Sequence, residues 1–463
     1  MTQQKKLQQA VSALDKQELI GIVLQAAERD EVLAQRLLMQ DSKKSRGQKN
    51  PKRQSEEYRK LIKAIAKRCG DRHGFITVRD TRQFAEEVAA ILDANTEDED
   101  LFLELELAIT VLEEAIRSFD YADDSNGDIG YVVDEALSKI GWITKNAELE
   151  ESDMRERLFE RLLELSRSDI FEEWSDWRLV VLRCCEDFAG LKGPRKRLIA
   201  EIEKSIARVK QEGRDYSGYE VESLNGMLLK LIEEYGEAEE AQRFLESRLE
   251  LPSFRQAQID RKMQEGDAKE ALRLAEEGER LDRKLPGLVT QWKKARYAAY
   301  KKLNRKADCL QLAEELLLDG EYEYYAELEE WGETDKAELY EHVKSKLKEM
   351  DSWRMGDLYE RLIEDHRDLP AQLEYVQANP ERIEDYIGVL LSAYRDEVHT
   401  IFKNHIVQKA SEASNRKKYW VVCRMIERYA KTAGRESRDE LVGLLTERYA
   451  SRPAMMDELS RIR

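Results

Sequence analysis

Cysteine is scarce in this chain: five residues in 463, none of them forming a CxxC pair. Cys69, Cys184, Cys185, Cys309 and Cys423 are odd in number and scattered. That argues against a disulfide framework and fits a reducing cytosol. Cys184 and Cys185 are adjacent, which ordinary disulfide geometry disfavours, so all five read as small packing residues. Proline is almost as rare, at 7 residues, and aromatic residues make up 8%. No run of eighteen apolar residues occurs, so no membrane span is expected. The first residues, "MTQQKKLQQAVSALDKQELIGIVL", carry charges where a signal peptide would need an apolar segment and a small-residue cleavage site.

Catalytic spacing is missing too. There is no GxxxxGK[ST] phosphate loop, no GxGxxG after a strand, no HExxH and no GxSxG. The five histidines, His73, His342, His366, His399 and His405, stand apart from one another. Acidic residues are so frequent that carboxylates four apart arise by chance, and they read as solvated faces rather than acid–base pairs. A non-enzymatic protein without a cofactor is the expectation.

What the chain does have is charge, at 37% of residues, and enough apolar residues, 41%, to bury amphipathic faces. The abundance of Glu, Lys, Arg, Leu and Ala favours helices. From about residue 84 onward, segments such as "FAEEVAAIL", "LFLELELAITVLEEAIRSF" and "LNGMLLKLIEEYG" place apolar residues three and four apart, with Gly, Asp, Asn or Ser between segments. Only "GFITVRD" (74–80) is a brief candidate for a strand. The expected class is all-α.

A weak repeat lies in the middle. "GEAEEAQRFLESRL" (236–249), "GDAKEALRLAEEGE" (266–279) and "NRKADCLQLAEELL" (304–317) align, with Ala241, Ala271 and Cys309 as small residues at the same point. A small side chain there lets a neighbouring helix come close, as in paired-helix solenoids. The spacing departs from the strict tetratricopeptide period, so the reading is a tetratricopeptide-like α-solenoid over 231–463. It follows an N-terminal helical segment (1–40), a basic flexible linker (41–56) and a helical domain (57–230). At this length, several units are expected.

The net charge of −18 is unevenly spread: from Lys43 to Arg82, 14 Lys/Arg face 4 acids, while the remainder has 63 against 91, or −28. In the helix that follows the linker, Tyr58, Leu61, Ile62, Ile65 and Cys69 form an apolar face and Lys60, Lys63 and Lys67 a basic one. Lys43, Lys44, Arg46, Lys49, Lys52, Arg53, Lys60, Lys63 and Lys67 are therefore candidate phosphate contacts for a nucleic acid. The competing reading pairs this face with the acidic body of the same protein or of a partner. No helix-turn-helix or zinc-finger spacing accompanies it.

"DDSNGDIGYVVDEAL" (123–137) invites a calcium reading: Asp124, Asn126, Asp128 and Glu135 fall at positions 1, 3, 5 and 12 of an EF-hand loop. Position 6, where the chain must turn sharply, is however Ile129, with Gly130 one place late, and no second loop pairs with it. The alternative is a corner in which a helix ends at Tyr121, Gly127 and Gly130 take positive φ, and Asp128 caps the next helix.

Aromatic residues cluster in "WKKARYAAY" (292–300) and "YEYYAELEEW" (322–331). Trp292, Tyr297, Tyr300, Tyr322, Tyr324 and Tyr325 read as core packing or as a groove that grips a protein partner. "EEYRKLIKAIAKRCGDRHGFITVRDTRQFAEEVAAIL" followed by "DYADDSNGDIGYVVDEAL" resembles the helical region of bacterial SWIM zinc-finger proteins. In those proteins a "YR..I..A......GFI.Y" element precedes a "DDSDG..G" corner. The stretches "WKKARYAAYKKLNRKADCLQLAEELLLDGEYEYYAELEEW" and "ASNRKKYWVVCRMIERYAKTAG" are similar to their C-terminal repeats.

The SWIM finger itself needs CxC followed by CxH to hold zinc. Here no two Cys lie two apart and no His follows a Cys by two, so neither the zinc nor its DNA contact carries over. The resemblance implies a stand-alone helical scaffold beside separately encoded protein partners, in a bacterial multi-component system such as an antiviral one.

Overall fold

The computed structural model describes residues 11–44, 51–93, 100–212, 217–350 and 354–462. Among them there is no strand, only an isolated parallel bridge between Ile76 and Ala122. In chain order the helices are α1 (Lys16–Arg29), α2 (Glu31–Lys44), α3 (Pro51–Cys69), α4 (Val78–Asp93), α5 (Leu101–Ser118), α6 (Asp128–Asn146), α7 (Ser152–Ser166) and α8 (Ser175–Glu186). Next come α9 (Lys192–Glu212), α10 (Ser217–Tyr235), α11 (Ala238–Glu246), α12 (Pro252–Glu265), α13 (Ala268–Leu281), α14 (Pro286–Lys302), α15 (Lys306–Leu318) and α16 (Tyr324–Trp331). The last are α17 (Lys336–Glu349), α18 (Arg354–Asp365), α19 (Leu369–Ala378), α20 (Ile383–Leu390), α21 (Arg395–Glu412), α22 (Arg416–Ala433), α23 (Arg435–Arg448) and α24 (Pro453–Leu459). The all-α expectation holds. The chain divides into two compact units, Met1–Phe254 and Arg255–Arg463.

In the first unit α5 is the hub. Thirteen of its 18 residues are buried, as a helix that is apolar nearly all round must be. α3, α4, α6 and α7 surround it. Three of its four carboxylates are each held by a different neighbour: Glu104 by Lys139 of α6 at 2.7 Å, Glu106 by Arg161 of α7 at 2.7 Å, and Glu113 by Arg59 of α3 at 2.5 Å. A buried carboxylate left unpaired would cost about 3–5 kcal/mol, so these ties disfavour any other packing around α5. α3 buries Tyr58, Leu61, Ile62, Ile65 and Cys69, the face its spacing predicts.

The second unit is a paired-helix array in which each helix packs mainly on its neighbours in sequence. Its apolar interior falls into two clusters, one running from Leu272 to Leu362 and the other from Val376 to Leu459. Ala271 and Cys309, the small residues of the repeat, are buried here, and Ala241 is buried in the first unit. The closest approach comes at a residue the alignment does not pick out. A Cβ on Gly278 of α13 would sit 2.8 Å from the Trp292 ring of α14, so only glycine admits the indole. Trp292 is fully buried. Its indole N–H donates to Asp282 at 2.7 Å, and the buried Arg255 guanidinium reaches the same oxygen at 3.3 Å.

Candidate partner-binding groove

α12 and α14 run beside an open groove of about 580 Å³ in the second unit. Gln256, Ile259, Asp260 and Met263 of α12 and Thr290, Gln291, Lys294, Ala295 and Ala298 of α14 line it, together with Gly287 and Glu321. The groove exists because α14 has two different arcs. One carries Trp292, Tyr297, Ala299 and Tyr300 into the core. The other presents Ala295 and Ala298, which are too short to fill the space.

Between the two helices Gln291 donates its amide to Gln256 at 2.9 Å, and Gln256 donates to Asp260 at 2.8 Å. Lys294 binds Glu321 at 2.6 Å, and that contact raises its pKa, so its charge is retained. Paired amides beside the half-buried Met263 offer donors and acceptors to a peptide main chain, with some apolar surface next to them.

The sequence-predicted aromatics lie elsewhere. Trp292, Tyr297, Tyr300, Tyr324 and Tyr325 are buried. Tyr297 donates to Glu327 at 2.8 Å, and Tyr322, only partly exposed, donates to Asp365 at 2.8 Å. The groove instead uses Lys294, Ala295 and Ala298 from the same stretch, "WKKARYAAY". The signal that marks them is a second arc of small residues opposite the aromatic one.

The basic residues are dispersed. Lys43 and Lys44 end α2, and Arg46 and Lys49 lie outside the described residues. Helix, rather than linker, resumes at Pro51 and carries Lys52 and Arg53 on its first turn. Arg53 pairs with Glu57 at 3.2 Å and Lys67 with Glu31 at 2.8 Å. Lys60 and Lys63 are exposed. Much of the segment's charge thus meets acids of the same chain.

At the corner, the bridge ties the segment before α4 to the one after α5: Ile76 donates to the Tyr121 carbonyl and Asp123 to the Ile76 carbonyl, both at 2.9 Å. The Thr81 hydroxyl donates to the Asp123 carbonyl at 2.9 Å. Gly127 has φ +77°, as the turn requires. The capping assignment differs from expectation. Asp128 is the first residue of α6, while Asp124 accepts from the N–H groups of Ile129 and Gly130 at 2.7 and 3.3 Å. Gly130 lies within the helix and has no positive φ.

Both Asp124 oxygens therefore face main-chain donors, and Glu135 is exposed on the second turn of α6. Among the described residues no group of three or more His, Cys, Asp or Glu could hold a metal ion. The thiols are buried, and burial pushes Cys184 up to about 12. No helix among the described residues is long and apolar enough to cross a membrane.

No family model matches the chain, and no curated protein matches it. Among solved structures, a circular tandem repeat protein with novel repeat topology and enhanced subunit contact surfaces aligns over 98% of this chain and 93% of its own. Its identity is 15% and its TM-score 0.24.

Proposed function

We propose that the chain is a non-enzymatic scaffold that holds an extended segment of a protein partner in the groove between α12 and α14. The observation behind this reading is the open cleft lined by the hydrogen-bonded Gln256–Gln291 pair. Grooves between alternate helices of paired-helix arrays are suited to peptides, because the walls are preformed and the ordering cost falls mainly on the ligand. By its SWIM-family resemblance the partner is separately encoded in a bacterial multi-component system, antiviral defence among the candidates.

The test compares wild type with Ala295→Trp, which fills the groove from an already part-exposed position. Each is purified from the host that encodes it, with and without nuclease. A stoichiometric protein retained by wild type through nuclease treatment and lost by the variant supports the reading. Equal retention by both removes the groove from it.

A second reading, nucleic-acid contact through residues 43–82, rests on Lys60 and Lys63, which are exposed and have no ion-pair partner among the described residues. Lys60→Glu with Lys63→Glu would abolish such binding and leave groove binding intact.

A further inference from the structure

We propose that the outward face of α22 binds single-stranded nucleic acid, with Trp420 as the stacking platform and Lys417 and Lys431 as phosphate contacts. α22 buries Tyr419, Val422, Cys423, Met425, Ile426 and Tyr429 against its neighbours. Among its exposed residues, Lys417, Trp420, Arg424, Arg428 and Lys431 recur turn after turn on one face. At 100° per residue these five fall within an arc of about 80°, and Lys417 and Lys431 are about 21 Å apart along the axis. Trp420 is 51% exposed, an unusual place for an indole, and the Arg424 guanidinium lies over its ring at 5.2 Å.

The stripe is cationic although the chain is acidic. From Arg416 to Arg438 the sequence has eight Lys/Arg and two acids, Glu427 and Glu436. Glu427 is bound to Arg424 at 2.8 Å, and Glu384 of α20 to Arg428 at 2.6 Å. Lys417 and Lys431 have no ion-pair partner among the described residues. At physiological salt, charges more than about 8 Å away are largely screened. The −18 of the whole chain therefore does not cancel this local field.

Two occupants suit a basic face, an acidic polypeptide and a nucleic acid, and the apolar content decides between them. A docked helix needs an apolar stripe of its own length, whereas this face offers only Trp420 and the neighbouring Val421. A single strand needs spaced cations and an aromatic face on which an unpaired base can stack, and both are present. A duplex would leave the indole without a base to stack on.

The full-length protein is titrated with fluorescein-labelled oligothymidine and oligouridine of about twenty nucleotides, long enough for a site of this kind. Binding should weaken with salt at a log–log slope of about −1.4 to −2.8, from two to four contacts at roughly −0.7 each. Trp420→Ala should lower affinity roughly 5- to 150-fold, the equivalent of one stacked base. Lys417→Glu with Lys431→Glu should remove half or more of the salt dependence. The two oligonucleotides distinguish DNA from RNA. All three positions are exposed, and an unchanged melting temperature confirms folding of the variants.

Absence of binding to either strand at low salt overturns the proposal. So does binding that is lost with Lys60→Glu and Lys63→Glu but kept by the α22 variants. Tighter, Trp420-dependent binding of a polyglutamate peptide would also overturn it and assign the face to an acidic protein.

Discussion

Tyr297 of α14 donates its hydroxyl to Glu327 of α16 at 2.8 Å, and Lys301, one turn further along α14, grips the same carboxylate at 2.8 Å. The arrangement recurs: Tyr340 of α17 donates to Asp368, the cap of α19, at 2.5 Å, with Lys344 at 2.9 Å. In both, a helix reaches past its neighbour to the next but one. Each clamp fixes the spacing of successive helix pairs, which nearest-neighbour packing alone leaves loose.

The clamp predicts a measurable coupling. A hydrogen bond to a charged group contributes about 1.5–3 kcal/mol, so Tyr297→Phe should lower the urea midpoint of the second unit accordingly. Lys301→Met should cost less, because its ammonium is more exposed and its pairing is screened. The double variant should deviate from additivity by about 0.5–3 kcal/mol, as groups sharing one partner do. Strict additivity would mean that Glu327 is not shared.

Asp282 carries two partners at once, the indole N–H of Trp292 and the guanidinium of Arg255, which is 1% exposed. Asp282→Ala leaves a buried cation without a counter-charge, and the expected cost is about 3–5 kcal/mol. Asp282→Asn keeps an acceptor for the indole and should recover part of it. Chemical denaturation of both variants checks the order.

Much of this framework was legible in the sequence. The buried face of α3 followed from the spacing of Tyr58, Leu61, Ile62, Ile65 and Cys69, because amphipathic period is a local property. Gly278 was not legible. Its constraint comes from Trp292, a residue on another helix, and only the packed pair shows it. The sequence pointed to Asp128 as the cap, and only the backbone geometry of the corner assigns that role to Asp124. The α22 stripe was on the page as "KKYWVVCRMIERYAKTAG", yet which of its residues face outward depends on where α21, α23 and α24 pack.

Gly278→Ala gives a test with opposing terms. Alanine gains up to about 1 kcal/mol in helix propensity over glycine. Against this, its Cβ would stand 2.8 Å from two atoms of the Trp292 ring and 3.0 Å from Arg255 Cδ. Overpacking of this kind costs about 1–3 kcal/mol, so the net effect is destabilising. Trp292→Phe in the same background should relieve part of it, which a thermal melt of the double variant will show.

Asp124→Ala separates the corner from the calcium loop. Losing a cap that accepts from Ile129 and Gly130 should cost about 1 kcal/mol. Calcium at millimolar concentration, saturating for sites of ordinary affinity, should leave the melting temperature of wild type and variant alike unmoved. A calcium-dependent rise in wild type, lost in the variant, would restore the metal reading.

His405 predicts the pH profile of the second unit. It is 7% exposed on α21, and burial first, then Lys409, hold its imidazole below the ordinary value of 6.5, while Glu381, Glu384 and Glu412 pull weakly the other way. The folded state therefore binds the proton less readily than the unfolded chain, so stability is fully present above about 6.5 and falls as pH drops through that value toward the folded pKa. A second decline should follow lower down. Lys301 first, then Tyr297, hold Glu327 below the ordinary carboxylate value of 4.5, and that contribution is present above 4.5 and lost as pH falls through the folded value. His405→Gln should flatten the first decline and leave the second in place. Urea midpoints measured from pH 7.5 to 3.5, a range spanning both ordinary values, distinguish the two. A first decline that persists in the variant would assign it to another group.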